Sequence, residues 1–204
     1  MALDADAFPA LAAYVASLPD GLNSYPHCQS KAALYRSLLA DRPLAEADLA
    51  ALPADLRRLV QAPKTVASWI PEVHSHALML AVYDRRFDSL AAFEQYSFLV
   101  QRQLFASRIY AILMKAATPS LLLRGVSLRW KAFHKGSRLV AEAVRSHSAV
   151  VRLDQPAGVW DHVVGVALGA ALRATADLMD VTNVQAEIVD ETPELIRYEL
   201  RWSE

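Results

Sequence analysis

The sequence predicts an α+β fold, with an N-terminal helical layer followed by a C-terminal β-α-β-β unit in a single domain. Three observations predict it. Through residues 1–146, apolar residues recur at helical spacing between prolines. From 148 onward, three short stretches are rich in β-branched residues or alternate apolar with polar. A glycine-bearing apolar stretch separates the first of these from the second. The 204 residues, 54% of them hydrophobic, suffice for one medium domain with a sizeable core.

Residues 8–18 form a short amphipathic helix, ended by the turn-rich "LPDGLNSYP". Residues 29–40 form the next, with Ser30 as a cap candidate. In 43–60, Pro43 and Pro53 each open a helix, because proline suits a first helical turn. Residues 68–84 repeat that pattern after Pro71, and their apolar residues cover nearly every side, as in a buried helix. Residues 89–117 lack Gly and Pro and predict a long helix with a break near Ser107. A last helical stretch begins at Pro119 and runs toward Gly136. Residues 148–154 then read as a strand, 158–180 as a helix, and 183–190 with 194–202 as a hairpin with one buried face.

Composition excludes several classes. One cysteine, Cys28, allows no internal disulfide and no Cys-pair metal site, and fits a reducing cytoplasm. The first residues carry Asp4 and Asp6 with no basic residue, unlike a secretory signal. The most apolar helix, between His162 and Arg173, is shorter than the roughly 20 residues of a membrane span. The expectation is a cytoplasmic protein. With six glycines and no glycine-rich phosphate loop, nucleotide-binding signatures are absent.

Net charge is −1, but its distribution is uneven. Residues 95–141 contain no Asp or Glu, where average frequency would place about five. The same segment carries Arg102, Arg108, Lys115, Arg124, Arg129, Lys131, Lys135 and Arg138. On one continuous helix, Arg124, Lys131, Lys135 and Arg138 share a face opposite Val126, Trp130 and Phe133. Such a face suits an anionic ligand or an acidic partner. Its plainer reading is a solvated surface anchored by aromatics. Nucleic acid is disfavoured, because no helix-turn-helix or RNA-binding signature accompanies it.

His74 and His76 resemble a metal pair, but at i, i+2 on a helix they point apart, so buried, hydrogen-bonded histidines are the expectation. His27 beside Cys28 invites a thiol-catalysis reading, against which a structural cysteine is favoured. The acids single out no catalytic pair. Gly165 and Gly169 mark a helix face for close packing on a sheet, with a homodimer contact as the second reading.

Several spaced features resemble a family of paralogues found in myxobacteria and related deltaproteobacteria. They are Trp69-x-Pro71-Glu72, residues 118–124, Trp130-x-x-Phe133-His134-x-Gly136 and the glycine-bearing final helix, within residues 50–202. No activity comes with that resemblance. More remotely, helices followed by β-α-β-β are similar to the 4-vinyl-reductase, haem-NO-binding and TRAPP-like domains, which include small-molecule sensors and assembly scaffolds. That similarity implies a pocket between the layers and a junction at 129–139, with Trp130 and Phe133 inward, Gly136 ending the helix and His134 hydrogen-bonded. The Tyr-x-Ser-x-Arg pattern that grips haem propionates is absent from the sequence.

The sequence therefore points to a regulatory domain that binds a small ligand or an acidic protein, with no catalytic motif and no cofactor identified. Its candidate binding residues are Arg124, Lys131, His134, Lys135 and Arg138. The alternatives are an enzyme whose site is assembled only in the fold, marked by a histidine beside a perturbed carboxyl, or nucleic-acid binding through 95–141.

Overall fold

The structure is a computed structural model that describes residues 3–108, 110–114, 119–179 and 181–203. Lys115 of the basic segment lies outside them. The chain opens with α1 (Pro9–Ser17), β1 (Gln29–Lys31), α2 (Ala32–Asp41), α3 (Glu46–Ala51), α4 (Ala54–Gln61) and β2 (Trp69–Pro71). Next come α5 (Glu72–Arg86), α6 (Leu90–Ala106), α7 (Ala111–Met114), α8 (Pro119–Arg124), α9 (Val126–Phe133) and β3 (His134–Lys135). The C-terminal part is β4 (Arg138–Val144), β5 (Ser148–Asp154), α10 (His162–Asp177), β6 (Thr182–Thr192) and β7 (Leu195–Ser203). The fold is α+β, as the sequence predicts.

Helix boundaries follow local chemistry. The Ser89 hydroxyl accepts the Ala92 N–H at the start of α6, and the Asp161 carboxylate accepts the Val164 N–H at the start of α10. Each satisfies a backbone donor that the first turn leaves unpaired. The expected long helix stops at Ala106, so the break near Ser107 is where the sequence places it. Helix α5 is buried on almost every side, as its apolar pattern requires.

The larger sheet is antiparallel with order β4-β5-β7-β6. Val151 and Leu153 of β5 and Ile196, Tyr198 and Leu200 of β7 are buried on one of its faces. Its other side carries an ion-pair network in which Glu142 meets Arg152 and Arg197. Helix α10 lies close on the buried side: a Cβ on Gly165 would stand 3.0 Å from Ile196 Cδ1. The Tyr198 hydroxyl donates to the Gly165 carbonyl at 2.8 Å. The glycine face therefore packs on the sheet. Arg173–Glu94 and Arg102–Asp177 ion pairs fasten α10 to α6.

Two expectations are corrected. The sequence assigns residues 138–144 to the helical part, but they form β4, an edge strand whose pairing slips between Ala141 and Ala143. The slip disrupts apolar–polar alternation, so the segment lacks a strand's sequence signature. The last N-terminal helix ends at Phe133, not Gly136, because β3 must pair with β1. β1 pairs with β2 on its other side, giving a three-stranded sheet, β2-β1-β3, that the sequence does not predict. Gly136 instead takes φ +85° beside Cys28, in the turn from β3 to β4.

Candidate functional site

The three-stranded sheet assembles the site. Strand β2 runs directly into α5, so Glu72 follows the strand as the first helical residue. Strand β3 starts as α9 ends, which places His134 at the opposite side of β1. The Glu72 N–H donates to the Cys28 carbonyl at 2.9 Å, fixing the helix start. The Glu72 side chain is fully buried, and its Oε1 lies 2.5 Å from His134 Nδ1 and 4.0 Å from His76 Nε2. Its Oε2 has no hydrogen-bond partner among the described residues.

Burial sets the charge of this cluster. Desolvation pushes the Glu72 carboxyl up to about 8, against a smaller opposing effect of His76. Desolvation lowers His134 to about 3 and His76 to about 4. At neutral pH all three are therefore uncharged. In the arrangement that pairs the buried Glu72 proton, the carboxyl O–H donates to His134 Nδ1, and His134 keeps its own proton at Nε2. His76 has the other tautomer, because its Nδ1–H donates to the Val159 carbonyl at 2.8 Å. The Tyr14 hydroxyl donates to the same carbonyl, also at 2.8 Å.

Aromatic rings surround the histidines. Trp130 stacks on His134 with centroids 3.8 Å apart and planes 13° from parallel, and Trp160 meets the His76 ring at 4.4 Å, edge on. Trp160 is held by Gln155, whose side chain bonds both its backbone N–H and its carbonyl. These rings form one wall of a pocket of about 100 Å³ between α5, α6, α9 and α10. Phe105, Phe133, Met79, Leu168 and Leu172 line the rest, with Gln101 among them. The Gln101 Oε1 and the Trp160 Nε1 are buried without hydrogen-bond partners among the described residues.

The sequence candidates divide. His134 joins the pocket wall, and Trp130 and Phe133 face inward beside it. The four cations do not share a helix face, since the helix ends at Phe133. Arg124 closes α8, Lys131 lies on α9, Lys135 on β3 and Arg138 on β4. Arg124 and Arg138 line a surface groove beside Glu142, whereas Lys131 is exposed elsewhere on α9. His74 and His76 are each hydrogen-bonded to a backbone carbonyl. Among the described residues no group of three His, Cys, Asp or Glu is placed to hold a metal ion. Cys28 is buried, and burial with the nearby Glu72 raises its thiol to about 11, the reverse of nucleophile activation. Charge and spacing do not single out Glu72. Its only mark in the sequence is its place in Trp69-x-Pro71-Glu72.

No family model matches the chain, and no curated protein matches it. Solved structures do. An Fe(II) unliganded H-NOX protein from K. algicida superposes with a TM-score of 0.59 at 10% identity, over 85% of this chain and 97% of that one. An H-NOX protein from S. oneidensis in the Fe(II)NO state gives 0.57 at 13% identity, over 85% and 99%. An oxygen-binding H-NOX domain related to soluble guanylate cyclases gives 0.56 at 10%, over 84% and 90%. The chain therefore has an H-NOX-like fold. Among the described residues no helix is long and apolar enough to cross a membrane.

Proposed function

We propose that this chain is a regulatory domain that binds a small, uncharged, largely apolar molecule in the pocket between its helical layer and α10, without haem. The observation that carries this reading is the pocket itself: largely aromatic and aliphatic walls, with Arg129 as a charged lining residue and a neutral Glu72–His134–His76 cluster behind them. A lining that is mostly apolar favours apolar contact with a few directed polar ones. Gln101 Oε1 and Trp160 Nε1 are an acceptor and a donor that such a ligand could satisfy. The H-NOX-like fold supports a small-ligand reading, since the matched proteins are described in unliganded, NO and oxygen states.

The residues present do not fit haem. The pocket, at about 100 Å³, falls below the roughly 300 Å³ at which sites hold drug-sized ligands. His134 is committed to Glu72 through Nδ1 and covered on one face by Trp130. His76 is tied to Val159 and turns its other nitrogen toward Glu72. Neither faces a space that would admit a macrocycle.

The test is an absorbance spectrum from 250 to 700 nm and a native mass spectrum of freshly purified protein, before and after adding haemin. The reading expects no visible band and no stoichiometric haem adduct. A Soret band from a one-to-one complex would overturn it.

An acid–base enzyme is the second reading, favoured by the histidine beside a carboxyl of raised pKa. It requires the Glu72 proton to act through His134, because Glu72 does not itself line the pocket.

A further inference from the structure

The three-stranded sheet has two unlike faces. Side chains alternate along a strand, and cross-strand pairing sets Lys31 opposite Trp69 and Gln29 opposite both Pro71 and Lys135. Those five residues therefore share the outer face, while Ser30, Ile70 and His134 share the buried one. On the outer face both ammonium groups converge on one indole. Lys31 Nζ is 4.0 Å and Lys135 Nζ is 4.1 Å from the Trp69 ring centroid.

These two cations differ from the arginines around the larger sheet. Arg102, Arg152, Arg173, Arg197 and Arg201 each have a carboxylate partner. Among the described residues, no carboxylate forms an ion pair with Lys31 or Lys135. Lys31 Nζ donates to the Ala67 carbonyl at 2.7 Å, and Lys135 Nζ reaches Gln29 Oε1 at 3.5 Å. Desolvation, and then the charge of Lys135, hold the Lys31 ammonium below its ordinary value. An anion placed between the two would relieve that repulsion, and the Trp69 ring offers a flat apolar surface beside it.

We propose that the outer face of β2-β1-β3 is a docking surface for an acidic segment of a protein partner, with one anionic side chain held by Lys31 and Lys135 beside Trp69. The patch brings two cations to one indole. A polynucleotide needs a track of several cations along its phosphates, but the neighbouring face residues, Gln29 and Pro71, are neutral. A membrane surface needs exposed apolar residues to insert, but Trp69 is half-buried beneath the lysines. A short acidic peptide meets the constraint, with tryptophan as the anchor type common in protein interfaces.

The surface is wired to the pocket by adjacency. His134 faces the pocket and the next residue, Lys135, faces the partner, while Trp69 leads through Pro71 into Glu72. Transmission between them rests on the pocket being a ligand site; the docking surface does not.

The test is an amide NMR titration of the full chain, without pocket ligand, using hexaglutamate and separately inorganic phosphate at low ionic strength. The expected result is saturable shifts at the Trp69 indole, assigned with a Trp69→Phe variant, and at residues 29–31, 69–71 and 134–135. The Lys31→Gln/Lys135→Gln double variant should weaken binding by about tenfold or more, while Lys131→Gln leaves it unchanged. Preserved spectral dispersion shows that the double variant is folded. Saturation by phosphate alone keeps the site and makes the partner segment phosphorylated. No shifts up to about 10 mM of either probe, or equal affinity in the double variant, would overturn the proposal.

Discussion

Glu72 and His134 stand 62 residues apart in the chain and share a 2.5 Å hydrogen bond inside the protein. Each begins where a short strand meets a helix, and β1 lies between the two strands. The pair is the point at which the helical layer, the small sheet and the pocket wall meet. Its neutrality is a consequence of burial, which makes it sensitive to pH and to substitution.

The stability profile with pH follows from the signs. Glu72 is raised to about 8, so it adds stability that is complete below its ordinary 4.5 and is lost as pH rises toward 8. His76 and His134, lowered to about 4 and 3, add stability that is complete above 6.5 and is lost as pH falls. Asp84 and Asp161, raised by burial, act in the same sense as Glu72. Urea melts across the range should therefore give maximum stability near pH 6.5 and a decline toward 8. A flat profile between 6.5 and 8 would contradict the assignment.

Glu72→Gln separates charge from shape. An amide N–H can replace the carboxyl O–H as donor to His134, so stability at pH 6.5 should change by no more than about 1 kcal/mol. The decline above pH 6.5 should disappear. Glu72→Ala, which leaves His134 Nδ1 unpaired and opens a void, should cost about 2–4 kcal/mol at the same pH. Equal losses in both variants would mean that the proton assignment is wrong.

Gly136 is a position where no other residue fits. Its φ is +85°, and an added Cβ would stand 2.5 Å from Cys28 Sγ and 2.8 Å from Cys28 Cα. Gly136→Ala should lose about 3 kcal/mol or more, because backbone as well as side chain must move. Gly158 has a similar φ of +77° but its nearest contacts are at 3.9 Å. Gly158→Ala should cost only about 1–2 kcal/mol, from conformation alone. Comparable melting temperatures for the two variants would contradict the close approach.

Cys28 should resist alkylation in the native protein. It is fully buried and its thiol is raised to about 11, so maleimide labelling at pH 7.5 should require unfolding. Rapid labelling of folded protein would remove the structural reading of this residue.

Legibility in the sequence tracks the length and regularity of each element. Strand β5 and the β6–β7 hairpin declare themselves because β-branched content and alternation persist over seven or more residues. Helix α10 does so through its apolar run and paired glycines. The three strands that build the site are two or three residues long, too short for any period to register. The basic residues line up on an imagined continuous helix, which is broken between α8 and α9 at Gly125 and again by strand pairing at His134. Trp69-x-Pro71-Glu72 and Trp130-x-x-Phe133-His134 are both visible as motifs. Their meeting across Cys28–Lys31 is a long-range contact that no local pattern encodes.

The central claim is that the pocket takes a small apolar molecule. An engineered apolar cavity of roughly 150 Å³ binds benzene, so benzene is a suitable probe for this one. The deciding measurement is an amide and methyl NMR titration with benzene, comparing the native chain with an Ala171→Phe variant that fills the pocket. The account predicts saturable shifts at Phe105, Trp130, Phe133 and Leu168, absent in the folded variant. Shifts scattered over the surface, or identical in both proteins, would contradict it.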